Sequence, residues 1–209
     1  MAHRAMTAGT EKQGTREKVI LAAADLIYRQ GFNGTSLDMV ALGAGVNRGS
    51  LYYFFRSKKN LGLAVIAHYE ALLHGHFLDP SLGGEGTGRE KLARLADLYS
   101  PLPLSGHPCC SCPIGNLSLE LSGLDEELRQ RLKEVWEGVF ARVAGAVRQA
   151  QAEGELDPGA DPHDLARAFF AQLQGAHLFA RTSLDEDALR RDCGRALNAL
   201  PWTGKEGRS

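Results

Sequence analysis

Apolar residues recur along this chain at three- and four-residue spacings, the period of one face of an α-helix. The first run is Val19, Ile20, Ala23, Ala24, Leu26 and Ile27, with Thr15 placed to cap its start and Gly31 to stop it. Thr35 and Ser36 open a second run, Leu37, Val40 and Ala41, in which Thr35 and Asp38 match a variant capping box. Ala44-Gly45-Val46 reads as a tight turn, because Gly45 is free to take a positive φ. Asn47 then caps a short third helix over 48–54. Ser57 caps a fourth, which carries Leu61, Ala64, Val65, His68 and Leu72 inward to about Leu78.

The pattern stays helical downstream. Pro80 and four glycines between Asp79 and Gly88 predict a loop. Its Gly84-x-Gly86-x-Gly88 spacing has neither the preceding strand nor the Gly-Lys-Ser/Thr of a phosphate cradle. Further helices are expected over 89–99, 114–122, 125–153, about 163–182 and 185–200, with breaks at Pro101, Pro103, Gly106 and Pro108. No strand pattern and no repeat emerges, so the expected class is all-α, an N-terminal three-helix helix-turn-helix domain followed by a larger helical domain. The expected divisions are a loose tail over 1–14, the first domain over 15–60, the body over 61–200 and a frayed tail over 201–209.

Composition narrows the class and charge splits it. A chain of 209 residues with 44% apolar and 23% charged positions is an ordinary globular one, which excludes collagen-like, low-complexity and wholly disordered readings. No run approaches the ~18 apolar residues of a membrane span, and the first residues lack a signal-peptide core. A soluble cytoplasmic protein whose four cysteines are thiols is therefore expected. The net charge of −1 conceals an asymmetry: residues 1–60 hold nine Lys/Arg against four Asp/Glu, or +5, and the remainder carries −6. A basic end on an acidic body points that end at a polyanion.

The third helix stands where a helix-turn-helix places its recognition helix. Asn47 and Arg48 lie at its N-terminus, where side chains reach base edges and backbone N–H groups meet a phosphate. Gly49 and Ser50 are small enough for close approach to a groove. Tyr52 and Tyr53 supply hydroxyls for phosphate oxygens, while Leu51 and Phe55 face the core. Phe54 is a third aromatic in this run, with packing against the first helix as its bland alternative. Lys58 and Lys59 oppose the dipole of the following helix, an unfavourable placement unless an anion lies near, and their bland alternative is a solvated face.

At this point the sequence resembles the TetR-type transcriptional regulators. The resemblance rests on Arg16-Glu17-x-x-Ile20-x-x-Ala23-Ala24-x-x-Ile27, Gly31-Phe32-x-x-Thr35-Ser36, Val40-Ala41-x-x-Ala44-Gly45-Val46 and Gly49-x-Leu51-Tyr52-x-x-Phe55-x-x-Lys58-x-x-Leu61. It covers about residues 15–62 in order and spacing. Asn47 stands where the family often has Ser or Thr, and Phe54 where His or Tyr is common. The resemblance implies a homodimeric DNA-binding regulator with a helical effector-binding body, usually a repressor released by a small ligand. It carries DNA contacts onto Thr35, Ser36, Asn47, Arg48, Ser50, Tyr52, Tyr53 and Lys58. It also implies pairing of the last two helices with those of a second copy. The apolar stripe Leu165, Phe169, Leu173 and Ala176, widened by Phe170, Leu178 and Phe179, is compatible with that. The partners expected are an operator of two near-palindromic half-sites in double-stranded DNA and a small-molecule effector, with no membrane.

His107-Pro-Cys109-Cys110-Ser-Cys112 is the unusual stretch of the body. Three readings stand: a redox or electrophile switch, in which Cys112 at a helix N-terminus is favoured as thiolate; a metal site of His107, Cys109 and Cys112 without an obvious fourth ligand; or incidental thiols. The segment Cys112-Pro-Ile-Gly-Asn116-Leu-x-x-Glu120 is similar to one in some TetR-type regulators of electrophile response. Tyr99, Asn116, Glu120, Trp136, Phe140, Phe170 and His177 are the candidates to line an effector pocket, with plain core as the alternative. His74 and His76 lie two apart on a helix, so their rings do not converge. No cofactor or metal is assigned. The fingerprints of hydrolases, zinc proteases and dinucleotide enzymes are missing from the sequence. The rival reading, a helical small-molecule-binding or interaction protein without specific DNA binding, leaves the basic end unexplained.

Overall fold

The computed structural model describes the backbone over residues 2–101 and 112–203, and side chains over 14–101 and 112–203. It is helical throughout this span: α1 (Ala2–Gly34), α2 (Leu37–Gly43), α3 (Arg48–Phe54), α4 (Lys58–Leu73), a π-turn at His74–Leu78, α5 (Asp79–Leu82), α6 (Gly88–Tyr99), α7 (Pro113–Leu121), α8 (Glu126–Ala152), α9 (Pro162–Ser183) and α10 (Glu186–Asn198). The all-α expectation holds among the described residues, where the sole extended pairing is a bridge between Leu156 and Trp202.

Several boundaries differ from those the pattern predicts. α1 begins at Ala2, so the segment read as a loose tail is helical and Thr15 is internal to a helix rather than its cap. Good helix formers such as Ala2, Ala5, Ala8, Glu11 and Lys12 support helix without an apolar stripe. At its other end Gly31 departs from the helix with φ 81° and ψ 164°, a region open to glycine. The cap of α2 is Ser36, whose hydroxyl accepts from Met39 N–H, not Thr35. Past α4 the chain continues through the π-turn, and Pro80 sits in the first turn of α5, where its missing N–H costs nothing.

The chain packs as two units, Met1–Glu70 with Asn116–Leu132, and Ala71–Gly115 with Lys133–Ser209. A single boundary after residue 60 therefore does not describe the packing. Leu117, Leu121, Leu128 and Leu132 are buried in the first unit along with Val19, Ala23, Ile27, Phe32, Leu51, Phe55 and Leu61. A methyl group on Gly62 would lie 2.8 Å from the Phe32 ring and 3.5 Å from Leu128, so α4, the α1 end and α8 meet closely at that glycine. The Tyr69 hydroxyl ties α4 to α1 by donating to the Ala24 carbonyl at 2.6 Å.

In the second unit, Leu92, Leu95, Tyr99, Val139, Val143, Val147, Phe169, Phe170, Leu173 and Leu189 form the core. Gly88 begins α6 against α8: a Cβ there would stand 2.2 Å from Ala150 N and 2.5 Å from the Ala146 carbonyl oxygen. Thr87 and Glu90 form a reciprocal capping box, and Glu153 of the second unit accepts the Gly88 N–H at 2.7 Å. Residues 201–203, read as part of a frayed end, are tied down: Asp157 N–H donates to Pro201, Thr203 N–H to Glu155, and Trp202 Nε1–H to Leu197 at 2.9 Å.

Candidate nucleic-acid interface and effector cluster

The first unit builds its outward face around α3. Gly45 turns the chain at φ 64°, and Asn47, extended at φ −78° and ψ 160°, caps α3 by accepting from Ser50 N–H at 2.8 Å. The helical period then sends Leu51 inward, with Phe55 buried just past the helix end, and leaves Tyr52 and Tyr53 exposed, with Phe54 edge-on to Tyr53 at 5.0 Å. Arg48 extends outward in a forked pair with Asp38 of α2, Nε to Oδ1 and Nη2 to Oδ2. Asn33, Gly34, Thr35, Ser36, Leu37, Asp38, Arg48, Tyr52 and Lys58 line an open concavity of about 390 Å³.

Of the expected DNA-contacting residues, Ser36, Asn47, Arg48, Ser50, Tyr52, Tyr53 and Lys58 surround this face. Thr35 lines the concavity from beneath rather than presenting a side chain to it. Only 2% of it is exposed, and its hydroxyl donates to the Gly31 carbonyl at 2.8 Å, so it shapes the turn from inside. Lys58 is drawn to the same turn, its Nζ donating to the Asn33 carbonyl at 3.3 Å and lying 4.6 Å over the Phe32 ring. Burial lowers its pKa from the ordinary lysine value, against the opposing charge of Glu120. Lys59 is a structural charge: it pairs with Glu127 at 2.7 Å and Asp125 at 3.7 Å, and the Glu127 bond chiefly raises its pKa.

Glu120, expected in an effector pocket, lies in the first unit and accepts the N–H groups of Phe32 at 2.8 Å and Asn33 at 2.6 Å. Asn116 also falls in the first unit. The other described candidates do converge, in the second. Tyr99 meets Phe170 edge-on at 5.3 Å and His177 at 5.4 Å, and Trp136 lies 6.2 Å from Phe140 and 5.8 Å from Phe170. His177 Nε2 donates to the Tyr99 carbonyl at 2.6 Å. That bond assigns the tautomer and leaves Nδ1 a buried acceptor without a hydrogen bond. Burial lowers the His177 pKa, with the Tyr99 bond opposing, so the ring is neutral at physiological pH.

Cys112 precedes α7 and lies beside Tyr99 and Gln174. Its expected thiolate character is reversed. Burial pushes the thiol pKa up, and this outweighs the N–H groups of Gly115 and Ile114 and the Gln174 amide, which favour the anion. Cys109, Cys110 and His107 lie outside the described residues, and among those described no group of three His, Cys, Asp or Glu side chains is placed to hold a metal. Gln174, whose amide nitrogen is buried beside this cluster, is not among the residues the sequence pattern marks. Its signal is a polar residue four positions after Phe170 and three before His177, on the same face of α9.

A Ser36-capped helix, a turn at Gly45 and an Asn47-capped helix with polar and aromatic groups outward define a helix-turn-helix DNA-binding protein. Residues 19–65 match the family of bacterial regulatory proteins, tetR family, and residues 88–195 match the tetracyclin repressor-like C-terminal domain. The transcriptional regulator AcuR of Cereibacter sphaeroides is 34% identical over 181 residues, 83% of this chain and 79% of that protein. The HTH-type transcriptional repressor NemR of Escherichia coli is 28% identical, covering 89% of this chain and 94% of NemR. The crystal structure of reduced E. coli NemR superposes with a TM-score of 0.79 at 26% identity, covering 91% of this chain and 100% of that one. The chain belongs to the TetR family and is a DNA-binding transcriptional regulator, of a kind that binds operator DNA and acts as a dimer.

Proposed function

We propose that this protein is a repressor that occupies an operator of two inverted half-sites as a homodimer and leaves it when chemistry at the second unit's polar cluster changes. The observation that carries the reading is α3 itself, with Leu51 and Phe55 buried while Arg48, Tyr52 and Tyr53 stand outward. Ser36, Asn47 and Ser50 complete the contact surface, with Lys58 beside it. Leu178 and Phe179 of α9, 52% and 69% exposed, support pairing through α9 and α10, since such a patch is commonly covered by a partner.

The cluster of Tyr99, Trp136, Phe140, Phe170 and His177 with Cys112 supports release by a small molecule with an apolar body, or by modification of the thiol. An activated alkene serves as the simplest covalent effector. The Cys112 sulfur forms a bond to its β-carbon, the carbon–carbon π bond breaks, and the thiol proton ends on the α-carbon. No oxidant is required. The reading involves no enzymatic turnover. No helix among the described residues is long and apolar enough to cross a membrane.

A gel-shift with the protein's own upstream DNA at two salt concentrations tests this. Specific retention with a steep salt dependence, lost on addition of N-ethylmaleimide or a cognate ligand, is expected. Absence of specific retention with reductant present overturns the reading of DNA recognition. Retention indifferent to thiol reagents removes the covalent route.

A further inference from the structure

The turn between α1 and α2 supplies one wall of the DNA-facing concavity through Asn33, Gly34 and Ser36. From α1 itself, Gln30 Nε2 donates to the Gly34 carbonyl at 3.0 Å, and Thr35 N–H donates to the Phe32 carbonyl at 3.2 Å. Where Gly31 swings to positive φ the helical hydrogen-bond ladder is broken, and the N–H groups of Phe32 and Asn33 need acceptors from elsewhere. Both are met by one carboxylate. Glu120 Oε2 takes Phe32 N–H at 2.8 Å and Oε1 takes Asn33 N–H at 2.6 Å. Lys58 grips the same segment from its other polar edge, donating to the Asn33 carbonyl at 3.3 Å. Thr35 closes the turn inside through the Gly31 carbonyl. Gly31 leaves room for this arrangement, since a Cβ there would press to 3.1 Å from Glu120 Oε2.

Glu120 is itself well fixed. Leu117 and Leu121, three residues before it and one after, are buried in the first unit. The carboxylate is therefore presented by a packed helix rather than by a loose side chain.

We propose that Glu120 is a positioning residue for operator recognition: by holding consecutive N–H groups at 32 and 33, it sets the turn from which α2 starts and against which Lys58 and Arg48 are arrayed. Recognition by this chain thus requires a residue far outside its helix-turn-helix. A carboxylate suits the task because two parallel N–H donors facing one anion give two charge-assisted bonds with a single side chain. An amide supplies only one acceptor and turns an NH2 group toward the second donor.

The test compares the parent with Glu120→Ala and Glu120→Gln. Anisotropy is measured on an upstream duplex carrying the operator and on a scrambled duplex of equal length, and amide proton spectra are recorded for Phe32 and Asn33. Expected are a loss of operator affinity of about tenfold or more in Glu120→Ala, partial recovery in Glu120→Gln, and scrambled-duplex affinity within about twofold of the parent. Both amide protons move upfield and exchange faster in Glu120→Ala, and one of the two does so in Glu120→Gln. Where Glu120→Ala does not fold, the nearly isosteric Glu120→Gln supplies the same readings. Operator affinity within about twofold of the parent in a folded variant overturns the proposal. So does an equal fall on both duplexes, which marks a role in stability alone.

Discussion

Arg48 is held by Asp38 through two parallel hydrogen bonds, a forked pair in which 68% and 56% of the two side chains remain exposed. At that exposure the pair adds little to folding, typically less than ~1 kcal/mol. Its effect is on charge, because a carboxylate sits beside a cation at the N-terminus of the recognition helix. Asp38→Asn removes that negative charge and frees the guanidinium. Tighter binding to unrelated duplex DNA is expected, with the slope of log affinity against log salt steeper by about one. Titrations across a salt series check it. An unchanged slope separates Arg48 from the phosphates.

Two glycines of the second unit behave oppositely. Gly88→Ala places a methyl 2.2 Å from a backbone nitrogen of α8, which cannot move alone. A loss of about 2–4 kcal/mol in urea unfolding is expected. Gly138, exposed in mid-α8, would meet nothing within 4 Å on gaining a Cβ, so Gly138→Ala gains roughly 0.5–1 kcal/mol. Equal effects at both sites contradict the close approach of α6 to α8.

His177 ties stability to acid. Its pKa is depressed below 6.5 by burial, so on acidification the unfolded chain takes up a proton that the folded chain refuses. The stability it contributes is whole above the unfolded value and is lost as pH falls through the folded one. Between about pH 7.5 and 5.5 the thermal midpoint of the parent is expected to fall more steeply than that of His177→Gln. Parallel curves count against a neutral buried ring.

Alkylation of Cys112 should be slow at neutral pH and quicken with base. Because burial raises its pKa above the ordinary 9.0, the rate is expected to climb still beyond that value. Peptide mapping after timed N-ethylmaleimide exposure reads each cysteine separately. A rate already level near pH 7 identifies a stabilised thiolate instead.

How much of this was legible in the sequence depended on distance along the chain. Asn47 as cap, Gly45 as turn, and Leu51 and Phe55 as inward positions follow from short spacings and are found as expected. Ser36 displaced Thr35 as the α2 cap, because either hydroxyl fits the local pattern and only the turn at Gly31 decides which faces out. Glu120 was read as a pocket residue because its partners are backbone groups 87 and 88 positions away, and a backbone N–H carries no sequence signature. Gly88 looked like one more loop glycine among four. Its role comes from the helix it touches.

The first unit is discontinuous in sequence, joining residues up to 70 with residues 116–132. That makes the DNA reader poorly portable. A chimaera that transplants residues 15–60 onto another regulator's body leaves behind Gly62, Leu128 and Glu120, and with them the close fit at Phe32 and the acceptors for its backbone. Grafts retaining the host's counterpart of 116–132 should bind DNA weakly, and moving that segment together with the reader should restore them. Exchange of specificity between relatives thus has to carry two stretches of gene rather than one.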